Sequence, residues 1–375
     1  MNETSGTGYR IAFVIEGALG HITHMQSIMR WVRQNGNIIP EWMQIPYETD
    51  DFLEKIPKIP FSIKLSARAR AGVIRLLKQR ELHCLYYHTQ ALTLFSAGLM
   101  KKIPVVISLD ATPINFDSIA QAYDSKTSTG FFYQIKKLWF RRVFRNASLI
   151  VTFSDWAKNS LIQDYRINPE KIIVIPPGVD ITKWKPNTNK TRSARTKLLF
   201  VGGDFKRKGG EILLDAFRTG LSDVCELDIV TSDKTIIADD TVHVHNGLTP
   251  NSKELINLFV NSDIFIMPTE GDASPFVILE AMASSLPVIT TKTGAVDEII
   301  EDSVSGFLIP KSDPAAIVKT VLSLTENPDR LEAMGREGRL IVEKKYNAET
   351  NYMQLLKALE AVASGTVVNA TEHMG

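Results

Sequence analysis

Two carboxylates, Asp272 and Glu280, stand around the start of a predicted helix with seven residues between them. Ser274 and Pro275 are typical of an N-cap and a first helical residue, so we expect the helix to begin there. Backbone N–H groups at a helix start favour a phosphate, and a nearby carboxylate accepts hydrogen bonds from sugar hydroxyls. This segment therefore suits a sugar joined to a nucleotide phosphate.

A second candidate site is the turn 203–210, Gly-Asp-Phe-Lys-Arg-Lys-Gly-Gly, between a predicted strand and a predicted helix. Glycine allows the backbone to approach a ligand closely, and Lys206, Arg207 and Lys208 at a helix start would bind a diphosphate. A charged turn with a glycine cap is the alternative. Taken together with the carboxylate pair, the turn favours the phosphate site.

The sequence contains no Asp-x-Asp motif and no His/Cys cluster of the kind that holds a metal ion. Arg207 and Lys208 can instead neutralise a leaving nucleoside diphosphate. We therefore expect chemistry that needs neither a metal ion nor another cofactor.

Short apolar runs alternate with helical patterns along the chain, which predicts an α/β fold with parallel sheets covered on both faces. A polar stretch near residues 185–193 interrupts this alternation. At 375 residues the chain suits two domains rather than one. The predicted organisation is an N-terminal domain, a linker, a C-terminal domain and a final helix with its tail, at residues 1–184, 185–196, 197–345 and 346–375.

Composition excludes several classes of protein. Hydrophobic residues make up 44% and charged residues 23%, as in ordinary globular proteins. The net charge of +1 gives no electrostatic argument for a nucleic-acid partner. Cys84 and Cys225 alone cannot form a disulfide framework. The N-terminus lacks the apolar core of a signal peptide, and no apolar run is long enough to span a membrane, so we expect a cytoplasmic protein.

Two stretches are rich in basic residues. Ten lysines and arginines between Lys55 and Lys102 face a single acid, Glu81, and residues 136–145 mix five basic residues with Leu, Trp, Phe and Val. Solvated helix faces are one interpretation. The other is contact with an anionic membrane surface, which would make the protein peripheral at the inner membrane face.

Several motifs carry a family resemblance. The acidic-x7-Glu spacing, the Lys208-Gly209 pair, the segment 174–180 and the segment 306–310 resemble retaining glycosyltransferases of family 4, over almost the whole chain. This resemblance implies the GT-B fold, with two doubly wound Rossmann-like domains facing each other across a cleft. It also implies a C-terminal helix that crosses back to the N-terminal domain.

The resemblance assigns roles in the C-terminal domain. Asp272 would hold hydroxyls of the transferred sugar, Glu280 would hold the ribose, and Glu298 matches a further acidic position of the family. A first-turn glutamate favoured by the helix dipole is the alternative for Glu298. The remaining donor-binding positions expected from this resemblance are Gly17, Gly20, Gly203, Gly247, Leu248, Ala273, Ser274, Pro275 and Phe276.

In the N-terminal half, the resemblance places His21 and Asp110 in the catalytic site, alongside Arg207, Lys208 and Asp272. His21 lies in a glycine-rich loop at a strand end, where a surface position on the first helical turn is the alternative. Asp110 stands at or next to the position of a family histidine, and capping of a turn is its alternative. His83 and His88 are expected to be structural.

Three positions depart from the family pattern. The family usually has Glu at position 272, Arg at 203 and His near 110, whereas this chain has Asp272, Gly203 and Asp110. Our hypothesis is that Arg207 supplies the missing guanidinium. These departures leave open a catalytically inactive nucleotide-sugar-binding protein, and an epimerase or phosphorylase of the same fold is a further alternative.

The predicted function is retaining, metal-independent hexosyl transfer from a nucleotide-sugar donor, with UDP-hexose or GDP-hexose favoured. The predicted partners are that donor and an acceptor that is a glycan, a lipid-linked molecule or a small molecule.

Overall fold

The computed structural model describes residues 8–17, 19–47, 49, 54, 56, 59–123, 130–188, 190 and 193–366. The chain divides into two compact units, and every structural statement concerns their described residues. The first unit comprises Met1–Asn115, Ser128–Pro177 and Glu349–Gly375. The second comprises Phe116–Thr127 and Gly178–Ala348.

Twelve strands are present in the described part of the chain. They are β1 (Tyr9–Glu16), β2 (Ile38–Ile45), β3 (Cys84–His88), β4 (Val105–Leu109), β5 (Leu149–Thr152), β6 (Ile172–Val174), β7 (Thr196–Val201), β8 (Cys225–Thr231), β9 (Val242–Asn246), β10 (Ile264–Met267), β11 (Val288–Thr291) and β12 (Gly306–Ile309).

The α-helices of the same described ranges lie between and after these strands. They are α1 (Leu19–Gln34), α2 (Phe61–Leu77), α3 (Pro113–Ile119), α4 (Gly130–Asn146), α5 (Asp155–Gln163), α6 (Gly210–Gly220), α7 (Lys253–Asn261), α8 (Phe276–Ala283), α9 (Val296–Ile299), α10 (Pro314–Thr325), α11 (Pro328–Lys345) and α12 (Ala348–Ser364).

Each unit contains one parallel sheet of six strands. The strand order is β2-β1-β3-β4-β5-β6 in the first unit and β12-β11-β10-β7-β8-β9 in the second. The order reverses between β1 and β3 in one sheet and between β7 and β10 in the other. Ligands of open α/β sheets bind beyond the carboxyl ends of strands at such a reversal. The predicted α/β architecture with parallel sheets is confirmed.

The strands are short and apolar because they are buried on both faces. In β1, Ile11 to Ile15 are fully buried, and the same holds for Ile264 to Met267 of β10. β-Branched and aromatic side chains of this kind pack well between covering helices. Each sheet therefore forms the centre of a separate hydrophobic core.

The last helix, α12, belongs to the first unit although it follows the second along the chain. The Tyr352 hydroxyl lies 3.0 Å from Nδ1 of His24, and Asn351 donates to the Pro176 carbonyl at 3.1 Å. Asn35 of the first unit donates to Glu360 at 2.7 Å. The predicted return of the C-terminal helix to the N-terminal domain is thus confirmed.

Within the described ranges, none of the helices has both the length and the apolar character that a membrane crossing requires.

Candidate functional site

The candidate site of the second unit lies where its strand order reverses. The turn after β7 carries Arg207 and Lys208, and the loop after the neighbouring strand β10 carries Asp272. Since parallel strands end at the same edge of a sheet, these two segments meet there. The structure thereby brings together the cations and the carboxylate that the sequence singled out.

Gly209 fixes the shape of the turn after β7. Its φ is +79°, and a Cβ at this position would lie 2.0 Å from the Pro268 carbonyl oxygen. Lys208 N–H donates to the Asp204 carbonyl at 3.0 Å, and Gly210 N–H donates to the Phe205 carbonyl at 2.8 Å. Only glycine combines this conformation with so close an approach. The turn consequently packs directly against the segment that follows β10.

Arg207 is held by contacts in several directions. Its guanidinium donates to Asp204 at 2.9 Å and to the Gly271 carbonyl at 2.9 Å. The same group lies 3.8 Å from the Asp272 carboxylate and 4.3 Å from the centre of the Tyr123 ring. A guanidinium fixed in this way is pre-organised to recognise an oxyanion.

Lys208 forms an ion pair with Asp272, donating from its ammonium to the carboxylate. The two side chains are only 15% and 12% exposed, so the pair is partly withdrawn from water. Arg207 lies beside this pair, and its own partner Asp204 is 52% exposed, so the less exposed part of the cluster carries two positive charges and one negative charge. Such a cluster can stabilise an incoming diphosphate while leaving carboxylate lone pairs for hydroxyl donors.

The helix near Asp272 begins later than predicted. α8 starts at Phe276, with Pro275 as its N-cap residue and no side-chain cap, so the expected N-cap at Ser274 with Pro275 as the first helical residue is wrong. The Ala273 carbonyl accepts from Ala295 N–H at 2.9 Å, and this long-range bond keeps the chain out of the helix up to Pro275. Ala273 and Pro275 are buried, whereas Ser274 and Phe276 are half-buried.

Glu280 lies in the second turn of α8 and is half-buried. Burial raises its pKa to about 8, and the positive charge of Lys183 opposes this shift only in part. A carboxyl group that titrates near neutral pH is typical of a functional site.

The loop after β11 packs against the Asp272 loop. Gly294 has a φ of +56°, and a Cβ there would lie 2.1 Å from the Asp272 carbonyl oxygen. Glu298 follows on the short helix α9, half-buried, and its carbonyl accepts from the Tyr346 hydroxyl at 2.9 Å. The buried Thr293 hydroxyl has no partner among the described residues, which makes it a candidate ligand group that the sequence did not indicate.

Two of the predicted donor-binding residues, Gly247 and Leu248, lie in the loop that follows β9. Gly247 has a φ of +77° and is exposed, while Leu248 packs against the core of the unit. Asn246 fixes the start of the loop by donating to the carbonyls of Thr231 at 2.9 Å and Asp233 at 3.0 Å. Gly203 is also exposed, and a Cβ there would meet nothing within 4 Å.

The other predicted residues belong to the first unit. Gly17 follows β1 and donates to the Ile45 carbonyl at 2.8 Å, and half-buried Asp110 follows β4. Gly20 and His21 lie in the backbone of α1, but the His21 side chain falls outside the described residues. His83 accepts from Arg10 N–H at 2.9 Å, which agrees with the structural role predicted for it.

Tyr123 is a site residue that sequence reasoning missed. It stacks on Arg207 from a segment that comes directly after α3, more than 80 positions earlier in the chain. Ala122 lies against Gly271. A Cβ added at Gly271 would come within 2.5 Å of the Ala122 side chain. No local signal marks this segment, because its role depends on a contact that is distant in sequence.

Two sequence families match the chain, one in each half. The family described as Glycosyltransferase Family 4 matches residues 41–183, and Glycosyl transferases group 1 matches residues 195–327. The chain belongs to the family 4 glycosyltransferases of group 1. The resemblance inferred from its motifs is therefore confirmed.

Similar proteins agree with this assignment. D-inositol 3-phosphate glycosyltransferase of Corynebacterium kroppenstedtii is 28% identical over 232 residues, covering 53% of this chain and 50% of that protein. The chain thus spans about half the length of that relative.

Solved structures share the fold. Sucrose-phosphate synthase from Thermosynechococcus elongatus superposes with a TM-score of 0.77 at 14% identity, covering 96% of this chain and 100% of that one. HepE from Anabaena, in complex with UDP-glucose, superposes with a TM-score of 0.67 at 16% identity, covering 94% and 99%. At such identities the likeness concerns the fold alone, and it confirms the GT-B class for this family 4 chain.

Proposed function

We propose that this protein is a retaining glycosyltransferase that moves a hexose from UDP-hexose or GDP-hexose to an acceptor hydroxyl without a metal ion. The observation that carries this proposal is the cluster of Arg207, Lys208 and Asp272 at the strand reversal of the second unit. Family membership and the UDP-glucose bound by HepE support a nucleotide-sugar donor.

The cations act on the leaving group. As the glycosidic bond to the diphosphate breaks, negative charge grows on the phosphate oxygens. Arg207 and Lys208 would stabilise that charge from fixed positions, so little reorganisation is needed in the transition state. Two such cations supply the electrostatic role that a divalent ion has in other transferases, which is why we propose metal independence.

Asp272 and Glu280 hold the donor. Asp272 accepts hydrogen bonds from hydroxyl groups of the transferred sugar, while its ion pair with Lys208 holds the carboxylate in place. Glu280 accepts the ribose hydroxyls from α8, and the start of this helix faces the phosphates with backbone N–H groups. Retention follows in this proposal from attack on the face from which the diphosphate leaves, with a phosphate oxygen taking the acceptor proton.

The first experiment is a donor screen. Purified protein is incubated with UDP-, GDP- and ADP-sugars, and thermal stabilisation and release of nucleoside diphosphate are followed with and without EDTA. We expect one UDP- or GDP-sugar to give both signals, unchanged by EDTA. Loss of turnover on chelation would contradict metal independence.

Two lysines on the same turn provide a matched pair of variants. Lys208→Ala should lower turnover at least about tenfold, the range of a lost charge-assisted hydrogen bond. Lys206→Ala removes an exposed cation two positions earlier and should leave turnover near the wild-type value. Equal effects of the two variants would show that turnover depends on the total positive charge of the turn rather than on the ion pair with Asp272.

A nucleotide-sugar-binding protein without catalysis is the competing function, favoured by the departures at Asp110, Gly203 and Asp272. It predicts thermal stabilisation by a donor with no release of nucleoside diphosphate in the presence of any acceptor. The same screen therefore separates the two functions.

We further propose that α4 contacts an anionic membrane surface on the cytoplasmic side, where a lipid-linked acceptor would be presented. Leu138 is 60% exposed and Trp139 39% exposed, and with Arg142 they line an open groove of about 510 Å³. Large apolar side chains beside basic ones suit the headgroup region of anionic lipids.

The basic residues of α2 are a weaker candidate than the sequence indicated. Lys64 and Arg68 both pair with Glu54, and Arg70 donates to the Phe95 carbonyl. These three cations stabilise contacts within the first unit, so they contribute less to an exposed positive surface than their number in the sequence implies.

Vesicle sedimentation tests the membrane proposal. We expect binding at low salt to vesicles of phosphatidylcholine with phosphatidylglycerol and little binding to phosphatidylcholine alone. Lys137→Glu with Arg142→Glu should abolish it, whereas Lys253→Glu with Lys319→Glu makes the same charge change on the second unit and should not. Equal sedimentation of the two double variants would contradict a role for α4.

A further inference from the structure

Glu16 is a buried carboxylate at the strand reversal of the first sheet, and no motif pointed to it. It ends β1 and is 6% exposed. The Thr89 hydroxyl, just after β3, donates to its Oε2 at 3.0 Å. Burial raises the pKa of the Tyr47 hydroxyl, and the neighbouring Glu16 carboxylate raises it further, so the two groups lie close together. Both neighbours are neutral, so neither of them places a positive charge against Glu16 at the carboxyl edge of the sheet.

Tyr47 lies beside this carboxylate and yet is 43% exposed. Its ring packs on Phe61, with centres 3.9 Å apart and planes 32° apart. The Tyr47 carbonyl accepts from the Arg68 guanidinium at 3.3 Å. The ring and the backbone of Tyr47 are thus both held in place. With one side of the ring against Phe61, the exposed surface is a rigid aromatic plane beside a carboxylate.

The position of these residues is that of a ligand site. β2, β1, β3 and β4 are neighbours in this order, and their carboxyl ends lead to Tyr47, Glu16, Thr89 and Asp110 in turn. The reversal of strand order falls between Glu16 and Thr89. Crevices of this kind bind ligands in open α/β sheets.

An aromatic plane and a carboxylate together suit a sugar ring. One face of a pyranose carries C–H groups that pack on an aromatic ring, while its hydroxyls donate to a carboxylate. An ionised carboxylate has about four lone-pair positions, so positions remain after the hydrogen bond from Thr89 is made. A phosphate or carboxylate on the ligand would be repelled by the charge of Glu16.

We propose that Tyr47 and Glu16 form a subsite for the acceptor, and that the acceptor presents an uncharged pyranose ring there. This inference rests on the proposed function, since it assigns an acceptor role to the first unit. Tyr47 supplies the stacking surface, and Glu16 beside it accepts hydrogen bonds from the ring hydroxyls.

Saturation-transfer NMR on the full chain tests the subsite. The probes are methyl α- and β-pyranosides of glucose, galactose and mannose, with glucuronic acid and glucose 6-phosphate as charged comparators. We expect at least one neutral glycoside to bind, with saturation concentrated on the protons of one ring face. The charged comparators should bind more weakly.

Three variants distinguish the contribution of the Tyr47 ring to binding from that of the Glu16 carboxylate. Tyr47→Ala should weaken glycoside binding about three- to tenfold, the range of one aromatic contact. Tyr47→Phe keeps the ring and should retain much of the binding, whereas Glu16→Gln keeps the shape and should remove the preference for uncharged ligands. Tyr9→Ala is the matched control, since Tyr9 lies at the opposite end of β1.

Nucleotide binding distinguishes failure of the subsite proposal from failure of the proposed function. Thermal stabilisation by UDP or GDP reports on the second unit, and all four variants should keep it if they are folded. If nucleotides did not stabilise the wild type, that result would contradict the proposed function instead. Three results would overturn the subsite: no neutral glycoside bound by the wild type, equal binding by Tyr47→Ala, or tighter binding of the charged sugars.

Discussion

At the scale of single residues, the charge of Glu280 is the property most open to measurement. Burial raises its pKa from the usual 4.5 to about 8. Between these values the folded chain keeps a proton that the unfolded chain releases, so stability falls as the pH rises from about 4.5 to about 8. The fall is at most about 1.4 kcal/mol for each pH unit.

We therefore predict that Glu280→Gln is less sensitive to pH than the wild type. The neutral amide has no proton to lose, so its free energy of unfolding should stay nearly constant across this window. Denaturant unfolding at pH 5, 6, 7 and 8 measures the difference. Parallel pH profiles for the two proteins would mean that Glu280 titrates near its ordinary value.

Glu280 also makes donor binding sensitive to pH in the proposed site. A ribose hydroxyl donates to the ionised carboxylate, so binding favours loss of the proton. Affinity for UDP or GDP should rise up to about pH 8 and should do so less in Glu280→Gln. Calorimetry in buffers of different ionisation enthalpy would detect the released proton.

Gly203 allows a test of which residue supplies the guanidinium. Restoring the family arginine meets no steric barrier, since a Cβ at Gly203 has no neighbour within 4 Å. We predict that Arg207→Ala weakens nucleotide affinity at least about tenfold and that adding Gly203→Arg recovers most of the loss.

The uncharged variant Gly203→Ala is the control for this rescue. It fills the same space without a cation and should recover nothing in the Arg207→Ala background. Full activity of Arg207→Ala alone would instead show that Lys208 suffices for the diphosphate.

At the scale of elements, the segment that follows α3 matters because it covers Arg207. The Tyr123 ring lies 4.3 Å from the guanidinium carbon, a distance typical of cation–π contacts. We predict that Tyr123→Leu lowers turnover about three- to tenfold, since about 1 kcal/mol of positioning is lost. Tyr123→Phe keeps the π-face and should behave as the wild type.

The measurement is the pair of constants kcat and KM for each Tyr123 variant. A positioning role predicts that the leucine variant loses kcat with a normal unfolding temperature. If phenylalanine were as damaging as leucine, the hydroxyl rather than the ring would be responsible. If neither changed turnover, the contact would have no part in catalysis.

The elements also show what local sequence can predict. Strands and the turn at Gly209 were predictable because apolar runs and glycine act through neighbouring residues. The start of α8 was not, because the bond between Ala273 and Ala295 is set by tertiary structure. The same limit hid the contact of Tyr123 with Arg207. It also hid Glu54, which pairs with cations 10 and 14 positions later.

At the scale of the whole molecule, the candidate donor site was more predictable than the candidate acceptor site. Arg207, Lys208 and Asp272 carry motif signals on two strands that a parallel sheet must bring together. Glu16 and Tyr47 carry none, because a single carboxylate and a single tyrosine in separate segments have no characteristic spacing. Their significance depends on the strand order β2-β1-β3.

The last prediction concerns α12, the helix that follows the second unit along the chain but belongs to the first. The first unit is completed by α12, in which Tyr352, Leu356 and Leu359 are almost fully buried. Burial of each side chain is worth about 1.5–3 kcal/mol, so removing residues 349–375 should destabilise the first unit by several kcal/mol. The second unit ends at Ala348 and keeps its own core. Calorimetry should therefore show one transition at a lower temperature and a second that UDP or GDP still raises.

A point variant distinguishes the effect of losing the whole helix from the effect of losing one of its hydrogen bonds. Tyr352→Phe removes only the hydroxyl that meets His24 and should cost about 1 kcal/mol. If truncation lowered both transitions equally, the two units would unfold as one cooperative body. If it lowered neither, α12 would be dispensable for the core that its buried side chains complete.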